Sequence, residues 1–282
     1  MNRTSQKQGH SLVSLCKYYA VSRWGFYKSL KQRIEKLTAE ELILEMVLIH
    51  RRLMPRIGGK KLYWMVKLDI CQMGIKLGRD KFFDILRANG LLVERKKRYA
   101  RTTDSYHRFH VHRNLLKEKV IGKPNQAVVS DITYLRVSGR KFVYLFLITD
   151  AYSRKIVGWD LSESLAIEGA IKALKMALKQ CPDPKGLIHH SDRGIQYCSR
   201  DYVKILKKRK ALISMTEQNH CYENSMAERV NGILKDEFML DAEFCSHDQA
   251  LKAVKQAIST YNNHRPHMSL SLSTPQQIHQ AA

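Results

Sequence analysis

A carboxylate stands in the middle of the run Ala127-Val128-Val129-Ser130-Asp131-Ile132-Thr133-Tyr134-Leu135, a stretch otherwise built from strand-forming residues. A lone charge in a buried strand is costly unless something cationic compensates it. Two more acids sit at suggestive places. Asp192 follows an apolar run that stops at His189-His190-Ser191, and Glu228 lies one turn into the helix-like segment Asn224 to Lys235, with 35 residues between the two acids. Three such acids suggest one shared cation site.

The pattern around them is that of a mixed α/β sheet. Strand-like runs cover 127–135, 142–149 and 155–161, the second alternating Tyr144, Phe146 and Ile148 against Val143, Leu145 and Leu147. Ala166 to Lys179 has helical periodicity and high alanine content. A short strand at 186–189, a helix at 200–210, a strand at 211–215 and helices near 223–239 and 247–263 follow. Three hairpin-like strands, then helix, strand, helix, strand and helix, is the ribonuclease H-like order: a mixed five-stranded sheet with flanking helices.

The front of the chain differs. Of the net charge of +23, residues 1–124 carry +18 and residues 125–282 carry +5. An excess of that size calls for a polyanionic partner, and nucleic acid is the leading one. Residues 11–30 read as two short helices, the second opened by Ser22 as N-cap. An amphipathic helix from Lys31 to Leu53 is ended by Pro55 and Gly58-Gly59. A second two-helix unit runs from Lys60 to Leu68 and from Arg79 to Asn89, with Gly90 as C-cap. Both units suit an all-α helix-turn-helix region over 1–93, whose cationic candidates for DNA are Arg23, Lys28, Lys60, Lys61, Arg79, Lys81 and Arg87. Residues 94–123 read as a basic linker. It carries Arg95, Lys96, Lys97 and Arg98 as further phosphate ligands, and His107, His110 and His112, which have no cysteine partners and read as solvated or phosphate-facing. The catalytic core is expected over 124–282.

Six cysteines without a Cys-x-x-Cys pair indicate neither a zinc ribbon nor a disulfide framework. The longest strongly apolar run, Phe142 to Ile148, is too short for a bilayer, and the polar start has no signal-peptide core. A soluble, cytoplasmic protein without a membrane partner is the expectation.

Phosphodiester cleavage in such a fold uses two divalent ions about 4 Å apart. Magnesium takes hard oxygen ligands and keeps waters, so a few carboxylates suffice. Asp131 in mid-strand, Asp192 past a strand end and Glu228 on a helix are the candidate metal ligands. Taken singly, Asp192 also reads as a turn residue and Glu228 as a solvated helical carboxylate. Lys235, seven residues after Glu228, shares its helix face and reads either as a phosphate ligand near the metals or as half of a surface charge pair. Asp150 begins a turn and Asp160 ends a strand, and both read as structural.

The set Asp131-Ile132-Thr133-Tyr134, His190-Ser191-Asp192-Arg193-Gly194, Asn224-Ser225-Met226-Ala227-Glu228 with Lys235, and the tail Tyr261-Asn262-Asn263-His264-Arg265-Pro266-His267 with Thr274-Pro275 resembles the second-frame (OrfB) DDE transposases of the IS-three group of insertion sequences. Their catalytic core is related to retroviral integrases. The resemblance covers residues 124–276 closely and 40–95 more loosely. It implies a transposase that cleaves and transfers DNA strands with magnesium or manganese, two ions per site. Asp131, Asp192 and Glu228 would be its ligands and Lys235 the basic catalytic residue. Its partners would be double-stranded DNA, at element ends and target, and further copies of itself assembled on those ends. Two departures stand out: Val128 and Val129 occupy places where the family often has tryptophan, and Ile57-Gly58-Gly59-Lys60-Lys61 replaces a Tyr-Gly-x-Arg-Arg element. The chain also lacks a long heptad zipper, so the resemblance implies fusion to a first-frame (OrfA) product or partnership with it. The alternatives are a catalytically silent DNA-binding repressor derived from a transposase, and another ribonuclease H-like nuclease.

Overall fold

The computed structural model describes residues 11–94, 112–117, 119–217 and 224–281. These divide into two compact units, Met1–Ile49 with Val66–Leu91, and His50–Met65 with Leu92–Ala282.

The first unit is helical. Helix α1 (Leu12–Tyr18) starts at Ser11, whose hydroxyl accepts from Ser14 N–H at 3.2 Å. Helix α2 (Arg23–Leu53) begins at Ser22, whose hydroxyl accepts from Gly25 N–H at 2.9 Å, as expected of an N-cap. It does not stop near Leu30. No proline or glycine lies between Phe26 and Met54, so the two expected helices are one of 31 residues. That continuity uncovers a row the shorter reading missed: Tyr27, Leu30, Ile34, Leu37, Leu44 and Leu48 recur at spacings of three, four and seven, and four of the six are exposed. Helix α3 (Gly59–Gln72) runs across the division between the units. Helix α4 (Arg79–Ala88) buries Phe82, Ile85 and Leu86 and is followed by Gly90 in the left-handed region.

The second unit is built on a mixed sheet of order β3-β2-β1-β4-β5. Strands β1 (Ala127–Val137), β2 (Lys141–Asp150) and β3 (Ile156–Ser162) form an antiparallel meander. Strands β4 (Ile188–Ser191) and β5 (Leu212–Met215) add in parallel on the other side of β1. Beyond the five expected strands, a two-residue β6 (Glu243–Phe244) pairs with the far end of β1. Helix α5 (Ile167–Gln180) connects β3 to β4, and the short α6 (Ile195–Cys198) and α7 (Arg200–Lys208) connect β4 to β5. Helices α8 (Ser225–Glu237), α9 (His247–Asn263) and α10 (Pro275–Gln280) complete the unit.

One core cluster joins Val128, Phe146, Ile148 and Val157 of the sheet to Ala173, Leu174 and Tyr202 of the helices. Helix α5 comes very close to the sheet. A Cβ on Gly158 would collide with the Ala173 carbonyl, and one on Gly169 would collide with the Phe146 ring. A buried polar cluster fixes β1 against β4: Ser130 Oγ and Tyr202 Oη lie 2.7 and 2.8 Å from His189 Nε2. Burial, with His190 beside it, holds that imidazole neutral by lowering its pKa to about 3.

Two expected boundaries move. His50–Met65 belongs with the sheet unit, because Arg56 N–H donates to Glu237 O at 3.0 Å and the Lys61 ammonium pairs with the Glu237 carboxylate. The end of the expected linker is packed: Leu115 N–H donates to Ser214 Oγ at 2.8 Å, and Leu115, Leu116 and Ile121 cover Ala127, Ala151 and Ile188. Residues 95–111, with Arg95, Lys96, Lys97, Arg98, His107 and His110, lie outside the described residues. Among the described residues no helix is long and apolar enough to cross a membrane.

Because the wall facing Gly158 is backbone, Gly158→Ala should destabilise the sheet unit by about 3 kcal/mol, the upper end of overpacking costs. Urea unfolding followed by far-ultraviolet circular dichroism checks this; an unchanged midpoint would mean that α5 can retreat.

Candidate active site

Ser130 of β1 is in register with Ser191 of β4. The next residues are Asp131, still inside β1, and Asp192, the first residue past the end of β4, and they lie side by side on neighbouring parallel strands at the roughly 4.8 Å interstrand spacing. Asp131 is half-buried. Its Oδ1 accepts from Ile132 N–H at 2.9 Å and its Oδ2 accepts from Asn231 Nδ2 at 2.7 Å. Asp192 Oδ1 accepts from Gly194 N–H at 3.0 Å in the turn after β4. Burial, then the Asp192 charge and, more weakly, Glu228, push the Asp131 carboxyl up to about 7 against the pull of its two hydrogen bonds.

Helix α8 supplies the rest. Asn224, just before its first turn, donates to Ser130 O at 3.2 Å and ties the helix to β1. Glu228, Asn231 and Lys235 follow at spacings of three and four, which puts them on one helix face. Asn231 holds Asp131, Lys235 Nζ lies 4.5 Å from the Tyr134 ring centroid, and Asp131 acts on Lys235 electrostatically. Burial lowers the Lys235 pKa, Asp131 and Asp241 raise it, and Arg136 lowers it. Glu228 itself is exposed.

The fold thus brings Asp131 and Asp192 together and sets Glu228 and Lys235 on the helix face that meets them. It does not close the three acids into a cage: among the described residues, no three His, Cys, Asp or Glu side chains are grouped tightly enough to hold one ion. Bare carboxylates repel, and those of Asp131 and Asp192 are occupied by N–H donors. The donor chemistry nonetheless fits a hard divalent cation, being all carboxylate oxygen.

Asn231 escaped the sequence reading, and Asn224 entered it within a motif but without a role. The signal was there in the spacing 224, 228, 231, 235, all polar on one face. Asp150 is structural as expected, its oxygens accepting from Ser153 N–H and Oγ at 2.7 Å and from Asn125 N–H at 2.8 Å. Asp160 accepts from Ser162 Oγ at 2.5 Å. Of the cationic candidates, Arg23, Lys28, Lys60, Arg79, Lys81 and Arg87 are exposed. Arg79 pairs with Asp80 and Arg87 with Asp84, contacts too solvated to hold either back from a phosphate. Lys61 differs, being half-buried and bound to Glu237.

The raised Asp131 pKa has a stability consequence. Its folded pKa, about 7, exceeds the roughly 3.9 of an unfolded aspartate, so the folded state loses stability as pH rises between those values. In buffer free of divalent ions, the urea midpoint of the wild type should fall between pH 5 and pH 8 relative to that of Asp131→Asn. Parallel curves would show that Asp131 does not carry this burden.

Two integrase core domain families match residues 122–221 and 209–275. The 31 kDa protein of insertion element IS600 from Shigella sonnei is 33% identical over 95% of this chain and 100% of its own length. The InsF transposase of insertion sequence IS3A from Escherichia coli K12 is 29% identical over 95% of this chain and 93% of its own. The HTLV-2 integrase catalytic core domain, solved in complex with magnesium, superposes with a TM-score of 0.45 at 21% identity, over 59% of this chain and 99% of that one. With its integrase core, and with an insertion-element protein a third identical to it along nearly its whole length, the chain belongs to the IS-three group of insertion-sequence transposases.

Proposed function

We propose that the chain binds the ends of its insertion element and catalyses divalent-metal-dependent cleavage and transfer of DNA strands. Asp131, Asp192 and Glu228 are the metal ligands in this reading, and Lys235 meets a DNA phosphate beside them. The observation that carries it is the register that sets Asp131, inside β1, beside Asp192, just past the end of β4, with α8 tied to that point through Asn224 and Asn231.

When bound, magnesium or manganese would supply Lewis-acid activation of the attacking oxygen and charge stabilisation at the leaving one. The chain's own residues do the positioning. Asn231 aims the Asp131 carboxylate by donating to one oxygen, and the Ile132 N–H fixes the other. Lys235, partly desolvated over Tyr134, has donors to offer a phosphate oxygen where such bonds are strong. Glu228, on the solvent-exposed first turn of α8, is free to swing toward the pair as charge is neutralised. The basic front half suits the DNA arms outside the catalytic unit, and assembly of several copies on element ends, with or without a first-frame partner, belongs to the same reading.

Purified protein with magnesium or manganese should join DNA carrying the element ends to a target. Asp131→Asn, Asp192→Asn and Glu228→Gln should each reduce joining to background while duplex binding survives. Joining by all three variants would overturn the assignment. Removal of one charge-assisted bond costs about 1.5–3 kcal/mol, so Lys235→Gln should slow joining roughly 10- to 100-fold. Lys235→Arg should recover part of that loss.

A further inference from the structure

Helix α8 has a second working face. Met226, Arg229, Val230, Ile233 and Glu237 point away from Glu228, Asn231 and Lys235, about half a turn around the helix at 100° per residue. All of these but Glu237 line a cavity of about 430 Å³ together with Lys61, Arg154, Tyr261, Arg265 and His267. That volume falls in the range of small-molecule sites.

Its charge is one-sided. Glu237 is the carboxylate against it, and Arg265 grips that carboxylate through Nε and Nη2, both at 2.8 Å, while Lys61 donates to it as well. Burial alone would raise the Glu237 pKa, but Arg265 and Lys61 outweigh it and hold the carboxyl below its ordinary range. Arg154 and Arg229 have no carboxylate within ion-pair distance among the described residues, and Asp150 acts on Arg154 only from farther off. Arg154 Nη1 points instead at the Met226 sulfur. Three positive charges are thus left over around the cavity. The crowding registers on Lys61, whose pKa burial lowers and Arg265 and Arg229 lower further. Arg265 and His267 are buried, and His267 Nε2 has no hydrogen-bond partner among the described residues. A buried polar atom without a partner beside uncompensated guanidinium groups is a site awaiting an anion.

Phosphate alone would leave the apolar wall of Met226, Val230, Ile233 and the Tyr261 ring unused. We propose that this cavity takes a nucleotide, its phosphate held by Arg154 and Arg229 and its sugar or base against the Met226, Val230 and Ile233 wall. The nucleotide comes either from a DNA strand or from the free pool. Only the first source rests on the strand-transfer reading above. Because α8 carries both faces, occupancy of this one bears directly on the helix that presents Glu228 and Lys235.

The test uses the full chain carrying Asp131→Asn, without divalent ions, so that strand chemistry plays no part. Binding of a deoxynucleoside monophosphate, the parent nucleoside and inorganic phosphate is measured by calorimetry. The monophosphate should bind at least about tenfold more tightly than the nucleoside, the equivalent of one charge-assisted bond. Arg154→Gln and Arg229→Gln should each remove that advantage. Both side chains lie outside the Glu237 ion cluster, so the variants keep the fold, as circular dichroism would verify. Equal binding of nucleoside and monophosphate, unchanged binding by both variants, or tighter binding of a glutamate-rich peptide than of the monophosphate would each overturn the proposal. Displacement of the bound monophosphate by a single-stranded oligonucleotide supports a strand as the source, and failure to displace it supports the free nucleotide. Absence of strand transfer by the wild-type chain with magnesium or manganese, with this binding intact, would sink the previous section's reading and leave this one.

Discussion

A carboxylate carried on a central strand is the constraint to which the sheet unit answers. Asp131 lies where apolar neighbours desolvate it, and the residue just past the end of the adjacent strand β4 is another aspartate. Two like charges at strand spacing are unfavourable unless a cation or donors offset them. The fold offers donors: the Ile132 N–H, and the Asn231 amide delivered by α8. It leaves the remainder of the cost in place, as the upward shift of the Asp131 pKa records. In the proposed function, that remaining cost is what a bound cation would offset.

Helix α8 is the element that makes the arrangement possible. Its N-terminus is fastened to β1 through Asn224, and one face presents Glu228, Asn231 and Lys235 to the aspartates. Its other face carries Val230 and Ile233 on the wall of the cavity and ends at Glu237, the hub of the Lys61 and Arg265 ion cluster. A half-buried carboxylate held by two cations is costly to break, since loss of either partner strands the others in low dielectric. That cluster therefore anchors the C-terminal end of α8, brings His50–Met65 into the sheet unit, and gives the tail Tyr261 to His267 a structural task besides its proposed one.

Most of the sheet was readable because its signals are local. The runs at 127–135 and 142–149 alternate or persist as strands do, the alanine-rich segment from 166 behaves as a helix, and Asp131 declares itself by its polarity among apolar neighbours. The reading failed where local signals were weak. It ends a helix near Leu30 with no breaker there, and it reads residues 94–123 as linker although Leu115, Leu116 and Ile121 cap the end of the sheet. It also treated Lys61 as a surface cation, since its partner Glu237 lies 176 residues away.

The sequence by itself determined the order of strands and helices and the basic character of the front half, and it singled out three acids as candidates, because periodicity and composition are properties of neighbours along the chain. Tertiary structure alone decided that Ser130 pairs with Ser191 and so sets Asp131 beside Asp192. It also decided that α8 divides its polar residues between two faces, and that Lys61, Glu237 and Arg265 meet. Those outcomes depend on register and packing between distant segments, where a shift of one residue would turn each side chain to the other side of the sheet.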